Sequence, residues 1–210
     1  MRDIIVIGGG RHAGVVIDML QSTGRRVIGY TEHDPVGKAE IYGVPCIGDD
    51  ESIEAGFSND EFELCLGIGA VGVTKHRQRI FDVFTQRGYR FHTVLHPSCT
   101  ISRQSLILDG VQVMAGGIVQ SGVSLLENVL VNTRASIDHD CELGPHSVVS
   151  PGAVLCGGVK VGDNAFIGAG ATIIQNVTIG SRACVGAGAL VLSDVPDGAV
   201  VVGVPAKRIK

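Results

Sequence analysis

The strongest constraint in this sequence is a hydrophobic repeat of six residues that begins at Ile101 and occupies most of the C-terminal half. An α-helix repeats every ~3.6 residues and a strand every two, so neither element alone explains it. The residue four positions after each aliphatic position is never larger than valine. The repeated aliphatic positions are Ile101, Ile107, Val113, Val119, Leu125, Val131, Ile137, Leu143, Val149, Leu155, Val161, Ile167, Ile173, Ile179, Val185 and Val191.

A flat coil with three short strands per turn accounts for this period, because equivalent positions then recur every six residues and stack every eighteen. Successive coils would pair as parallel strands about 4.8 Å apart, with the aliphatic positions filling a triangular prism. We therefore predict a parallel β-helix of roughly five coils. The period does not determine its hand, although the usual crossover preference is right-handed.

Glycine directly follows the aliphatic position in several hexads. These residues are Gly144, Gly162, Gly168, Gly180 and Gly186. We expect the chain to turn at these glycines in a backbone conformation that is costly for other residues.

The N-terminal part follows a different pattern, in which short apolar runs alternate with amphipathic stretches. Their order is Ile4–Ile7, His12–Leu20, Arg26–Tyr30, Leu64–Ile68 and Thr74–Gln86. A β-α-β order of this kind predicts an α/β domain with a small, Rossmann-like parallel sheet. We therefore expect two domains, residues 1–95 and 96–210.

Composition excludes several classes of protein. The formal net charge is -4 and no basic run is longer than two residues, which argues against a nucleic-acid partner. The six cysteines form no CxxC pair and are interpreted as buried thiols. The apolar run Ile4–Ile7 is too short for a signal peptide or a membrane span, so we expect no membrane partner and a cytoplasmic location.

His139 is the histidine of the repeat that lies between two acids, Asp138 and Asp140. Acyl transfer to an amine or hydroxyl needs a base, and histidine titrates in the right range. Because side chains alternate along a strand, we expect only one of the two carboxylates to reach the ring. The alternative is a solvated residue at a coil corner.

Stacking every eighteen residues places Gly157 one coil beyond His139 and aligns Ala169 with Ala187. The N–H of Gly157 could stabilise a tetrahedral oxyanion, although a turn glycine is the alternative. The alanines and their flanking glycines form a strip of small residues in which a pantetheine arm could lie. A crowded prism corner would also favour small residues.

Gly8–Gly10 follows a predicted strand and precedes a predicted helix, an arrangement that can bind phosphate through backbone N–H groups. His12, at the start of that helix, either contacts the ligand or has no such role. Thr31 and Glu32 stand near the position where a ribose- or base-binding acid is expected. The segment ending at Gly69 is either a third wall of this pocket or a tight turn.

The chain as a whole resembles a known family. The hexads and the run Gly203–Lys207 resemble those of the hexapeptide-repeat acyltransferases. A resemblance to one group within that family is carried by three further runs, Gly8–Gly14, Asn132–Thr133 and Asp138–Cys141. They resemble the bacterial nucleotide-sugar N-acetyltransferases grouped with the sialic acid O-acetyltransferases. This resemblance implies a left-handed β-helix and substrates of the 4-amino-4,6-dideoxy sugar type, as in bacillosamine or perosamine.

The resemblance also implies roles for particular residues. It makes His139 the base and Asp140 the partner that orients it. Acetyl-CoA would be the cosubstrate, and no metal would be needed. The coenzyme would lie along Gly157, Ala169 and Ala187, between the subunits of a homotrimer. The nucleotide-sugar site would include Gly10, Arg11, His12, Thr31, Glu32, Gly69 and Asn132.

Three other functions remain open from the sequence. O-acetylation of a sialic acid is the function most similar to sugar N-acetylation, and assays with a panel of substrates distinguish the two. A metal-dependent carbonic anhydrase would need three converging histidines, whereas the coils contain only His139 and His146, which we place on different faces. A sugar-nucleotide sensor without catalysis would release no thiol from acetyl-CoA.

Overall fold

A computed structural model describes residues 2–73 and 75–210 of the chain. Met1 and Thr74, where the amphipathic stretch Thr74–Gln86 begins, lie outside the described residues. Two compact units are present. The N-terminal unit extends to Gly69 and also includes Arg79–Val94, and the repeat unit consists of Ala70–Gln78 and Leu95–Lys210. The segment Ala70–Gln78, inside the range 1–95, therefore belongs to the repeat unit.

The described residues of the N-terminal half form three strands and three helices. They are β1 (Asp3–Ile7), α1 (Arg11–Ser22), β2 (Val27–Thr31), α2 (Asp50–Gly56), β3 (Phe62–Leu66) and α3 (Lys75–Gln86). Helix α1 buries Ala13, Val16, Ile17 and Leu20, which share one face at helical spacing. Helix α2 begins after Asp49, whose side chain accepts the N–H of Ser52 at 3.0 Å.

The three strands form a parallel sheet in the order β2-β1-β3, so the predicted small parallel sheet is confirmed. Strand β1 is central, and Ile4–Ile7 are fully buried. The chain passes from β1 to β2 on one side and later to β3 on the other. Such a reversal opens a crevice at the carboxyl end of the central strand, where ligands bind in sheets of this type. Gly8 is the first residue beyond that end.

The chain continues through β4 (Val94–Leu95) into sixteen repeat strands, each two residues long. These are β5 (Thr100–Ile101), β6 (Leu106–Ile107), β7 (Gln112–Val113), β8 (Ile118–Val119), β9 (Ser124–Leu125), β10 (Leu130–Val131), β11 (Ser136–Ile137), β12 (Glu142–Leu143), β13 (Val148–Val149), β14 (Val154–Leu155), β15 (Lys160–Val161), β16 (Phe166–Ile167), β17 (Thr172–Ile173), β18 (Thr178–Ile179), β19 (Cys184–Val185) and β20 (Leu190–Val191). Strands β21 (Val200–Val202) and β22 (Lys207–Arg208) follow.

Every third repeat strand belongs to the same sheet, which produces the three faces of a prism. Ser136 pairs with Val154 and Glu142 pairs with Lys160, each eighteen residues further along the chain. The predicted parallel β-helix is thereby confirmed, with about six turns instead of five, and it is consistent with the left hand that the resemblance implies. The aliphatic positions and the small positions that follow them form one continuous buried core.

From Ile107 to Val185, the coils turn at the third residue after each aliphatic position, where φ is positive. Glycine or asparagine occupies most of these positions, as expected for the left-handed region. They are Gly110, Gly116, Gly122, Asn128, Arg134, Asp140, His146, Gly152, Gly158, Asn164, Gly170, Asn176, Arg182 and Gly188.

We expected the chain to turn at the glycines directly after the aliphatic positions, and this prediction was wrong. None of the five has a positive φ. They are glycines because the next coil approaches closely: an ideal Cβ at Gly162 would lie 2.5 Å from the backbone N of Ser181, and one at Gly168 would lie 2.5 Å from that of Ala187. Close packing between coils, not the turn, selects glycine at these positions.

Replacing Ile179 with alanine should lower the free energy of unfolding by about 2–5 kcal/mol, because its side chain is fully buried in the core. Thr178→Ala, on the same strand but pointing outwards, should change it by less than about 0.5 kcal/mol. Chemical denaturation followed by circular dichroism measures both values. Equal losses for the two variants would contradict the inward and outward assignment.

Candidate active site

His139 and Asp140 lie at the edge of the prism between β11 and β12, here called the His139 edge. The imidazole Nδ1 of His139 lies 2.9 Å from Oδ2 of Asp140. Both side chains are exposed, at 61% for His139 and 72% for Asp140. Asp138 does not reach the ring and instead accepts the backbone N–H of His139 at 2.7 Å. The ring is therefore oriented by one carboxylate.

Backbone conformation places the Asp140 carboxylate beside the ring. Asp140 has a φ of 58°, which aspartate tolerates better than most residues. Its Oδ1 lies over Gly122 in the preceding coil, where any Cβ would collide with it. Gly122 was not identified from the sequence, although counting eighteen residues back from Asp140 leads to it.

Gly157 lies directly next to the His139 ring. An ideal Cβ at Gly157 would stand 2.5 Å from both Cε1 and Nε2 of the imidazole, so no larger residue fits without moving the ring. The N–H of Gly158 donates to the carbonyl of His139 at 2.9 Å and holds the two coils together. Among the described residues, no backbone carbonyl accepts the N–H of Gly157.

The pKa of His139 is raised above the ordinary histidine value. The largest cause is the hydrogen bond to Asp140, followed by the negative charge of Asp138. Both stabilise the protonated ring. The imidazole thus binds a proton more tightly than an isolated histidine, which makes it a stronger base once it is neutral.

Cys141 is two residues from His139 but faces the core. Burial raises the pKa of its thiol to about 11. The Sγ donates to the carbonyl of Cys156 at 3.2 Å. A protonated, buried thiol is a poor nucleophile, so the position favours packing over covalent chemistry.

Ala169 and Ala187 stack at a different edge, which runs between the sheets that contain β16 and β17 and is here called the Ala187 edge. Both alanines are exposed, and the N–H of Gly188 donates to the carbonyl of Ala169 at 2.8 Å. Asn132 lies on this same edge, where its Oδ1 accepts the backbone N–H of Thr133 at 2.8 Å. Within one chain, these three residues and His139 therefore occupy separate edges of the prism.

In the N-terminal unit, the loops after β1 and β3 meet at the crevice. An ideal Cβ at Gly8 would lie 2.8 Å from the side chain of Ile68, and one at Gly69 would lie 3.3 Å from Cβ of His12. Helix α1 begins after Gly10 without a side-chain cap and without an acid in its first turn, and Arg11 is exposed at its start. The first N–H groups of α1 are thus suited to an anion.

Thr31 and Glu32 lie at the end of the neighbouring strand, at the same crevice, but their side chains differ in burial and in hydrogen-bond partners. Thr31 is fully buried, and its hydroxyl donates to Oδ1 of Asp50 at 2.6 Å. Glu32 is half-buried, and its Oε2 lies 2.8 Å from where a Cβ on Gly9 would be. The carboxylate of Glu32 also has partners, because its Oε1 accepts the backbone N–H of His33 at 3.1 Å and its Oε2 lies 3.9 Å from Nζ of Lys38. Glu32 is the more exposed of the two side chains at the crevice. Asp50 was not identified from the sequence, because nothing in the local pattern singles it out.

Two negative observations apply to residues 2–73 and 75–210. No group of three or more histidine, cysteine or acidic side chains is arranged to hold a metal ion. No helix in this part of the chain combines the length and the apolar character needed to cross a membrane.

Comparison with known proteins gives two family matches, the PglD N-terminal domain over residues 3–84 and the bacterial transferase hexapeptide (six repeats) over residues 158–193. Perosamine N-acetyltransferase from Caulobacter crescentus is 36% identical, covers 100% of this chain and 98% of its own, and superposes with a TM-score of 0.91. That structure is of a variant with one histidine replaced by asparagine, in complex with CoA and GDP-perosamine.

Two further solved structures are similar over their whole length. The acetyltransferase domain of PglB from Neisseria gonorrhoeae FA1090 is 35% identical, with 100% of both chains covered and a TM-score of 0.91. WeeI from Acinetobacter baumannii AYE is 23% identical, with 100% of both chains covered and a TM-score of 0.88, a likeness that shows the fold alone.

The variant Asp140→Asn should lower the pKa of His139 towards the ordinary histidine value, because the charge that stabilises the imidazolium is lost. Asp138→Asn should lower it less, since Asp138 acts on the ring only through its charge. NMR titration of the His139 ring, assigned by its absence in His139→Asn, measures the shift. As a control, Asp109→Asn should leave the titration unchanged. An unaltered pKa in Asp140→Asn would contradict the described hydrogen bond.

Proposed function

Because the chain belongs to the hexapeptide-repeat, acetyl-CoA-dependent N-acetyltransferases of amino sugars that carry a PglD N-terminal domain, we propose that it acetylates the 4-amino group of a nucleotide-linked 4-amino-4,6-dideoxy sugar. The observation that carries this proposal is the imidazole of His139, held by Asp140 and facing the bare backbone of Gly157. It occurs in a chain that is 36% identical to a perosamine N-acetyltransferase over nearly the full length of both.

His139 is the general base in this proposal. Its Nδ1–H donates to Asp140, which leaves the lone pair of Nε2 free to accept a proton from the sugar amine. The amine nitrogen attacks the thioester carbon, so that a C–N bond forms and the C–S bond breaks. The imidazolium then returns its proton to the departing thiolate, and free coenzyme A is released.

The backbone at Gly157 supports the developing negative charge. Its N–H lies at the same edge as the imidazole and, within the described part of the chain, has no backbone acceptor. An N–H group directed at the tetrahedral oxygen stabilises the transition state more than the ground state. The missing side chain also lets the thioester approach the ring.

Direct attack is favoured over a covalent acyl-enzyme. Cys141 is the nucleophile nearest in sequence, and its thiol is buried, protonated and hydrogen-bonded to Cys156. An acylated Cys141 would place an acetyl group inside a core built for small residues.

The coenzyme arm is proposed to lie along Ala169 and Ala187, where exposed small residues leave room for it. In one chain this strip and His139 occupy separate edges. A site that uses both edges therefore needs two copies of the chain. A contact between two different edges closes into a ring, and we propose a homotrimer with three equivalent sites.

The N-terminal unit is proposed to hold the nucleotide. The diphosphate would face the uncapped start of α1 at Gly10, Arg11 and His12. Glu32 would accept hydrogen bonds from the ribose or base, and the close packing of Gly69 on His12 would shape the third wall. Because the hydroxyl of Thr31 already bonds to Asp50, we assign Thr31 a supporting role.

Thiol release from acetyl-CoA tests the chemistry. The panel contains 4-amino sugars linked to GDP, UDP or dTDP, together with a sialic acid, and GDP-perosamine is included because the Caulobacter relative was solved with it. His139→Asn should lose at least about 100-fold in turnover with the accepted sugar, whereas Cys141→Ala should keep most of the activity. Release with sialic acid alone would favour O-acetylation, and no release at all would favour a sensor.

Mixing two inactive variants tests the assembly. His139→Asn lacks the base, and Ala187→Gln should block the strip, so each should be inactive alone. If each site combines the His139 edge of one subunit with the Ala187 edge of its neighbour, random co-assembly should restore about one quarter of wild-type activity. No recovery in co-expressed trimers, verified by light scattering, would show that both edges act within one subunit.

A further inference from the structure

The turn positions of the His139 edge carry the same arrangement twice. In successive coils they are Gly122, Asp140, Gly158 and Asn176, each with positive φ. An ideal Cβ on Gly122 would lie 3.4 Å from Cγ of Asp140, and one on Gly158 would lie 3.5 Å from Cγ of Asn176. In both pairs the side-chain oxygen reaches back over the glycine of the preceding coil. Asn176 therefore repeats, two coils further on, the position of the carboxylate that orients His139.

Asn176 differs from the other asparagines at turn positions in what its amide contacts. Asparagine is favoured at positive φ, and it occurs at such turns at Asn128, Asn164 and Asn176. Asn128 accepts a hydrogen bond from Arg77 at 2.7 Å, and Asn164 donates to Oε1 of Gln78 at 2.9 Å. Asn176 is exposed, and no other described residue forms a hydrogen bond with its amide. The turn explains the residue type at all three positions, but only the third leaves its amide available to a ligand.

The amide of Asn176 lies beside the reactive end of the site. Its backbone N–H donates to the carbonyl of Gly157 at 3.0 Å, so the Gly157–Gly158 dipeptide is held between the coil of the imidazole and the coil of Asn176. The ring of His139 faces Gly157, and the side-chain oxygen of Asn176 faces Gly158. Because consecutive Cα atoms are about 3.8 Å apart, the amide is within hydrogen-bonding reach of an atom bound at the N–H of Gly157.

We propose that Asn176 is a further catalytic residue, whose Nδ2–H donates to the thioester oxygen together with the N–H of Gly157, an inference that rests on the proposed function. When the sugar amine adds to the thioester carbon, this oxygen takes up the negative charge, and it gives the charge back as the C–S bond breaks. Two fixed donors stabilise that charge more than one. An amide is also neutral at every pH at which an imidazole titrates, so it does not compete with His139 for the proton.

Two variants of Asn176 test the donor. Asn176→Gly should lower kcat for thiol release by about 100-fold and leave KM for acetyl-CoA within about threefold, because the donor acts mainly on the transition state. Glycine already occupies this turn position at Gly122 and Gly158, so the backbone keeps its conformation. Asn176→Asp keeps the shape of the side chain but has no N–H to donate, and it should lose at least as much. If Asn176→Asp keeps its activity, the role of Asn176 is one of shape and the proposal is overturned.

Arg182→Gly is the matched control. Arg182 is an exposed residue that also occupies a turn position, with a φ of 58°. It lies on the third edge of the prism, between β18 and β19, away from both His139 and the strip of Ala187. This variant should leave kcat and KM unchanged. Melting temperatures of all three variants separate a loss of folding from a loss of catalysis.

A measurement on bound acetyl-CoA separates this inference from the proposed function, because it needs no sugar. A hydrogen bond donated to the thioester oxygen lowers the stretching frequency of the carbonyl group. Raman difference spectra of acetyl-CoA isotopically labelled at that carbonyl should therefore show a lower frequency on the wild-type chain than on Asn176→Gly or Asn176→Asp. Equal frequencies on the three proteins would overturn the inference. A wild type that shows the lower frequency but releases no thiol with any sugar counts against the proposed function alone.

Discussion

The repeat unit depends on backbone hydrogen bonds that join each coil to the next. A strand of two residues has no stability of its own, and here its N–H and C=O groups are satisfied by residues eighteen positions away. Each layer thereby fixes the position of the next, and the aliphatic side chains must stack in a single core. A side chain at an edge consequently has neighbours that are remote in sequence but constant in position.

The candidate site follows from this stacking. His139 needs space on one side for its ring, and the glycine one coil later provides it. Asp140 needs space on the other side for its carboxylate, and Gly122, one coil earlier, provides that. The turn that every coil makes at this position also directs the carboxylate towards Nδ1, because Asp140 adopts the left-handed conformation itself. The carboxylate, the imidazole and the bare backbone thus lie next to each other without any irregular loop.

The sequence predicted what is periodic and missed what is not. The fold and the stacking of Gly157 on His139 could be derived from spacing, since a period of six fixes which residues meet. The reason for the glycines after the aliphatic positions could not be derived from spacing. The residue type alone does not distinguish a turn of the chain from a close approach between two coils. The bond between Arg77 and Asn128 joins residues 51 positions apart and leaves no repeating signal. Asp50, which engages Thr31, was missed for the same reason.

The stacking also governs how such a chain can change its length. One residue added to a strand between His139 and Gly157 would change their spacing of eighteen residues, and Gly157 would no longer lie beside the imidazole. A whole coil of eighteen residues, added after Gly157, would leave each edge in line and only make the prism longer. Insertion of whole coils can therefore lengthen the edges of the prism without disturbing the contact between His139 and Gly157.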